Sequence, residues 1–70
     1  MKQFKPKEII KFLEKNGWEI DHQSWSHCIL YHEASRKRTT VPIHKKDIPI
    51  GTLMAILKQT GFKKGDLLKK

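Results

Sequence analysis

The chain has 70 residues, and its 15 Lys and Arg against 7 Asp and Glu give a net charge of +8. That length allows one domain with a small core and excludes a deep enclosed cavity, while the single cysteine, Cys28, excludes an internal disulfide. No apolar run approaches the ~20 residues of a membrane span, and residues 1–17 lack the apolar segment of a signal peptide, so we expect a soluble, cytoplasmic protein.

Residues 6–16 are predicted to form the first helix. Pro6 suits the first helical turn, where its missing N–H is not needed. Phe4 can fold back as a hydrophobic staple, and Gly17 can adopt the left-handed conformation that ends a helix. The apolar stripe of this helix consists of Ile9, Ile10 and Leu13.

A β-hairpin is predicted next, because residues 18–23 alternate in polarity and "HCILYH", residues 27–32, forms a second strand. A three-residue loop at 24–26 fixes the expected register. Its pairs are His22 with Cys28, Ile20 with Leu30, and Trp18 with His32. One face then carries Trp18, Ile20, Cys28 and Leu30, and the opposite face carries His27, Ile29 and Tyr31.

A polar, basic connection at 33–38 leads to a short third strand at 39–43. Continuing the hairpin register places Val41 beside Leu30, and Pro42 ends the strand or marks it as an edge. After a basic loop, a second helix is predicted from about Ile50 to Thr60.

The apolar positions of this second helix recur with helical spacing, and Gly61 ends it. These positions are Leu53, Ile56, Leu57 and Thr60. We expect one domain over residues 1–62 and a short basic tail over 63–70, which can form one helical turn at 66–68. The predicted fold is α+β, in the order α-β-β-β-α, with a three-stranded antiparallel sheet and both helices on one face. The other face of the sheet stays open.

Three stretches of this sequence form recognisable motifs: "FLEKNGWEI" (12–20), "SHCIL" (26–30) and "TVPIHKKDIPIGTLMAILKQTGF" (40–62). Together they resemble HicA-type toxins of bacterial toxin–antitoxin pairs, whose fold is similar to a double-stranded-RNA-binding domain. The third is the most specific, since it fixes Val-Pro, a basic loop and Gly-Thr-Leu at set spacings. Two positions depart from the family's pattern: Trp25 stands where Gly is usual, and Cys28 where a second His is common.

The resemblance implies a type II toxin: an endoribonuclease (mRNA interferase) that cuts mRNA or other single-stranded RNA and is neutralised by a HicB-like antitoxin. The catalytic histidine of the family matches His27. RNA can be cleaved without a metal, because its 2′-OH attacks the adjacent phosphate, and a histidine can act as general acid or base near neutral pH. We therefore expect no cofactor. The alternative for His27 is an exposed strand histidine with no role.

A second acid–base group is not evident from the sequence. His44, Lys45 and His32 are candidates, although His32 is expected to point inward, and Asp21 could orient the imidazole of His27. No metal site is predicted, because Cys28 and His32 are separated by roughly 13 Å along a strand at ~3.3 Å per residue. As a group on the apolar face, Cys28 is expected to be a small buried residue.

Basic and aromatic side chains near the open face are the expected RNA contacts, since cations neutralise phosphates and bases stack on aromatic rings. These candidates are Trp25, Ser26, Tyr31, Arg36, Lys37, Arg38, His44, Lys45 and Lys46. Two other functions stay open. One is an RNA-binding module without catalysis, and the other is a protein-interaction domain whose basic face docks an acidic partner.

Overall fold

The computed structural model describes residues 4–43 and 46–69 of the chain and confirms the predicted α-β-β-β-α order. Its elements are α1 (Pro6–Lys15), β1 (Glu19–Gln23), β2 (His27–His32), β3 (Lys37–Pro42), α2 (Ile50–Thr60) and α3 (Lys64–Lys69). The three strands form one antiparallel sheet in the order β1-β2-β3. The helices cover one face of this sheet, and the other face is open.

The start and end of α1 follow the sequence signals. Pro6 occupies the first turn, and the Glu8 carboxylate accepts a hydrogen bond from the Lys5 backbone N–H at 2.9 Å. Gly17 has a φ of 92°, the left-handed conformation that ends the helix. A Cβ at this position would lie 3.3 Å from Nε2 of His32, a tight contact, so glycine is favoured here chiefly by the positive φ.

The hydrophobic core lies between the helices and the sheet. Its buried side chains are Phe4, Ile9, Leu13, Trp18, Cys28, Leu30, Val41, Ile48, Leu53, Ile56, Leu57 and Leu67. The backbone N–H of Ile48 donates to the Phe4 carbonyl at 2.8 Å, which ties the start of the chain to the segment before α2. The one buried polar side chain among the described residues, Thr39, donates to Gln59 Oε1 at 2.8 Å. Since a buried hydroxyl without a partner is destabilising, this bond allows β3 to pack against α2.

The β1–β2 register contains a β-bulge that the sequence pattern did not predict. Ile20 pairs with Leu30 as expected, but His22 pairs with Ile29 and Gln23 pairs with Cys28, because the extra residue Asp21 interrupts the ladder. The predicted pairing of His22 with Cys28 is therefore wrong. An extra residue on one strand reverses the faces of all residues beyond it. His22 consequently lies on the open face of the sheet.

Two expectations about the apolar face also need correction. Ile20 was expected to be part of it, but its side chain is 42% exposed, because β1 is an edge strand while α2 packs against β3. Val41 is buried on the expected face, yet it pairs with Cys28 rather than with Leu30. The predicted start of the third strand at residue 39 is two residues late, since Lys37 and Arg38 already belong to β3. Long cationic side chains are common on exposed edge strands.

The second helix agrees with its prediction at both ends. α2 runs from Ile50 to Thr60, and Gly61 follows with a φ of 82° while its N–H donates to the Leu57 carbonyl at 2.8 Å. Beyond it, α3 is a six-residue helix at 64–69, longer than the single turn expected at 66–68, and it buries Leu67. Within the described ranges, no helix is both long and apolar enough to cross a membrane.

Candidate active site

The tip of the β1–β2 hairpin is held by a compact set of hydrogen bonds. The backbone N–H of Ser24 donates to the His27 carbonyl at 2.9 Å, and the His27 N–H donates to Ser24 Oγ at 3.1 Å. The Ile43 N–H donates to the Ser26 carbonyl at 2.9 Å, which joins the tip to the chain beyond β3. Trp25 projects from this tip with 93% of its surface exposed. A tryptophan this exposed presents a flat apolar face to solvent.

His27 is the first residue of β2, and it is exposed on the open face as predicted. Its Nδ1 lies 2.9 Å from Ser26 Oγ, so the neighbouring hydroxyl orients the ring. The next residue on β2, Cys28, is fully buried on the opposite face. The strand alternation that separates His27 from Cys28 is thus confirmed.

Asp21 does not orient His27, contrary to the sequence-based expectation. Its Oδ2 accepts a hydrogen bond from Arg38 Nη1 at 3.1 Å across the open face. The Arg38 guanidinium also lies over the Tyr31 ring, 4.9 Å from the ring centre. Arg38 pairs directly with Tyr31 in the sheet, so its long side chain can cross β2 and reach β1. Arg38 therefore links Tyr31, another candidate RNA contact, to Asp21, the residue expected to orient His27.

The predicted site residues fall into two groups at opposite ends of the sheet. Trp25, Ser26 and His27 lie at one end. Along β2, Tyr31 is four residues from His27, roughly 13 Å at ~3.3 Å per residue. The group at the other end consists of Tyr31, Arg36, Lys37 and Arg38. Lys37 pairs with His32. Arg36 is exposed in the turn at 33–36 and has a φ of 56°, a left-handed conformation uncommon outside glycine.

Basic residues line a groove of about 360 Å³ beside the start of α1. Its lining includes Lys5, Lys7 and Lys46, together with Ile43, whose N–H donates to the Ser26 carbonyl. Gln23, which pairs with the buried Cys28, also lines it, so the groove lies on the helix side of the sheet. Of the loop cations singled out from sequence, Lys46 lines this groove, whereas His44 and Lys45 lie outside the described residues. Lys5 and Lys7 were not among the sequence-based candidates, because their positions indicate only the start of a helix.

His22 is a second residue that the sequence pattern assigned to the wrong face. The bulge at Asp21 places it opposite Ile29 and exposes it on the same face as His27. His32, in contrast, is half-buried on the helix side, as expected. Its ring lies 5.1 Å from the Trp18 ring, and its Nδ1 is 2.7 Å from Ser35 Oγ.

The Cys28 thiol is not arranged as a nucleophile. Its burial, and then the negative charge of Glu14, raise the pKa of the Cys28 thiol above its ordinary value. The thiol is therefore protonated near neutral pH, and a thiol reacts as its thiolate. In the described part of the chain, no group of three or more His, Cys, Asp or Glu side chains could hold a metal ion.

A comparison with protein families matches residues 6–62 to a model described as the HicA toxin of bacterial toxin–antitoxin systems. The chain belongs to the HicA toxin family. The match extends from the first residue of α1 to just past the end of α2 and so includes the hairpin, its exposed histidine and the whole sheet. No curated protein matches the chain.

Membership of the HicA family gives the chain the role of a toxin, whose partner is in general an antitoxin. The helix-covered three-stranded sheet is consistent with the fold resembling a double-stranded-RNA-binding domain that the sequence motifs implied. α3 lies beyond the matched residues, although Leu67 packs into the same core.

Proposed function

We propose that this HicA-family chain is a metal-independent endoribonuclease that cuts mRNA, with His27 as general acid or base. The observation that carries the proposal is the position of His27. It is exposed at the start of β2, on the open face of the sheet and beside a protruding hairpin tip. An RNA strand lying on this face would meet the imidazole without any opening of the fold.

The reaction suits a protein surface without an enclosed cavity. The ribose 2′-OH is the nucleophile, so the protein must only accept its proton, stabilise the charge on the phosphate and protonate the departing 5′-oxygen. Histidine performs proton transfers near neutral pH. Positively charged side chains stabilise the charge that develops on the phosphate. The exposed cations of a chain with a net charge of +8 would supply such charge.

The two groups of candidate residues would hold successive parts of one RNA strand. Trp25 offers a stacking surface beside His27, and base stacking on an aromatic ring is worth about 1–3 kcal/mol per base. Tyr31 and Arg38 would take nucleotides roughly 13 Å farther along β2. Arg36 and Lys37 add positive charge at that end. Because most of these contacts are to phosphates, binding should weaken steeply with salt.

The test compares the wild type with His27→Ala for RNA cleavage by purified protein and for growth arrest on expression. We expect His27→Ala to lose both activities and to keep the same circular dichroism spectrum, because His27 is exposed. The matched control is His32→Asn, which removes another strand histidine but keeps an acceptor for Ser35. If His27→Ala still cuts RNA and arrests growth, the assignment of His27 is wrong.

One observation favours a second function, RNA binding without catalysis. Trp25, almost fully exposed, stands where the family usually has glycine, and an indole at the tip can hold the RNA backbone away from His27. This function predicts salt-sensitive RNA binding by the wild type with no cleavage products after long incubation. Trp25→Gly separates the two functions, because it should then start cleavage rather than weaken it.

We further propose that the antitoxin is a HicB-like protein that blocks the open face. Two observations support this proposal. The chain belongs to the HicA toxin family, and its net charge of +8 favours an acidic surface on the partner. Co-purification with the product of an adjacent reading frame tests this proposal. A partner that leaves His27 accessible to RNA would contradict it.

A further inference from the structure

The open face of the sheet carries two histidines rather than one. His22 and His27 are both exposed there, and the half-buried Ile29 is an immediate neighbour of each on the same face. His22 pairs directly with Ile29, and His27 precedes Ile29 by two residues on β2. The two histidines are therefore diagonal neighbours on adjacent strands, and such residues are typically about 7–8 Å apart, with their Cβ atoms somewhat closer.

We propose that His22 is the second proton-transfer group of the ribonuclease reaction, so that His22 and His27 bracket the scissile phosphate. This inference rests on the proposed function. The bulge at Asp21 brings His22 onto the same face as His27, since an uninterrupted ladder would turn His22 toward the helices. Asp21 itself is bonded to Arg38.

The chemistry requires two groups on opposite sides of one phosphorus atom. One imidazole accepts the proton of the 2′-OH while the O2′–P bond forms, and the other imidazole, entering as imidazolium, donates its proton to O5′ while the P–O5′ bond breaks. The products are a 2′,3′-cyclic phosphate and a 5′-hydroxyl. One proton is taken and one is given, so exchange with solvent restores both rings without any further reactant.

Two other candidate groups within the described part of the chain are less well placed. His32 lies on the helix side, against Trp18 and Ser35, at the far end of β2. The Cys28 thiol is buried. His22 thus shares with His27 the face, the end of the sheet and the exposure that the reaction requires.

The first experiment measures kcat and KM for RNA cleavage by the wild type, His22→Ala, His27→Ala and His44→Ala. His32→Asn is the control for loss of a histidine. We expect His22→Ala to lower kcat by about 10²- to 10⁴-fold, the usual contribution of a general acid or base, with a smaller change in KM. His32→Asn should retain the rate of the wild type per folded molecule.

The second experiment uses an RNA oligonucleotide in which sulfur replaces O5′ at the cleavage site. A thiolate leaves without receiving a proton, so the variant that lacks the general acid should regain most of its rate on this substrate. The variant that lacks the base should not. We expect one of His22→Ala and His27→Ala to recover, and only one.

Three results would overturn the inference while leaving the proposed ribonuclease intact. They are an unchanged kcat for His22→Ala, a defect in His22→Ala confined to KM, or the same response of both variants to the sulfur substrate. Loss of activity in His44→Ala with an active His22→Ala would assign the role to His44. Absence of any cleavage by the wild type would overturn the proposed function and this inference together.

Discussion

Replacing Asp21 by Asn should tighten RNA binding by releasing Arg38. In the free protein, Arg38 Nη1 is 3.1 Å from Asp21 Oδ2, and an incoming phosphate must displace that carboxylate. The two side chains are 60% and 43% exposed, so solvent screens the pair and its worth is about 0–1 kcal/mol. Since 1.4 kcal/mol is a factor of ten, the gain in affinity should not exceed about fivefold. The loss in folding stability has the same upper bound.

The assay is a fluorescence anisotropy titration with a single-stranded RNA, performed in the His27→Ala background to prevent cleavage. Glu14→Gln is the matched control, because it changes the net charge equally from an exposed position on α1. Arg38→Gln should reduce the slope of log K against log salt concentration by about 0.7, the effect of one lost phosphate contact.

Two outcomes would refute the reasoning about Arg38. The first is an affinity of Asp21→Asn no greater than that of Glu14→Gln, which would mean that only net charge matters. The second is a gain that persists when Arg38→Gln is added to Asp21→Asn, because the released guanidinium is then absent.

Three further predictions concern stability. Gly17→Ala should lower the free energy of unfolding by about 1–2 kcal/mol because its φ is positive, and equal Tm values would contradict this. Leu30→Ala should cost about 2–5 kcal/mol in denaturant unfolding, clearly more than Ile20→Ala opposite it; equal costs would contradict the burial difference. Burial raises the pKa of the Cys28 thiol in the folded state. The neutral thiol therefore contributes its full stabilisation of the fold below the unfolded pKa of about 8.5, and this contribution is lost as pH rises through the folded pKa. Cys28→Ala should remove that alkaline decline, and an unchanged decline would refute the assignment.

The boundaries of α1 and α2 could be predicted because local chemistry determines them. Pro6 can occupy a helix only in its first turn, and Gly17 and Gly61 supply the left-handed conformation at the two helix ends. The hairpin loop was predictable because residues 24–26 separate two segments with strand patterns, at 18–23 and 27–32.

The bulge at Asp21 could not be predicted because the residues beyond it are all polar. An uninterrupted strand directs His22 toward the helices, whereas the bulged strand directs Gln23 there, and at the edge of the sheet both residues remain exposed. Neither arrangement buries an apolar group that the other exposes, so hydrophobic alternation cannot distinguish them. The face of His22 depends instead on the backbone geometry of one inserted residue.

The most direct test of the central claim is cleavage of an RNA oligonucleotide by the purified protein in the presence of EDTA, with analysis of the product ends. A matched oligonucleotide with 2′-deoxyribose at the cleavage site lacks the attacking hydroxyl. We predict that the RNA is cut to 2′,3′-cyclic phosphate and 5′-hydroxyl ends and that the deoxy-substituted strand stays intact. Cleavage of the deoxy-substituted strand, 5′-phosphate products, or loss of RNA cleavage in EDTA would contradict the account.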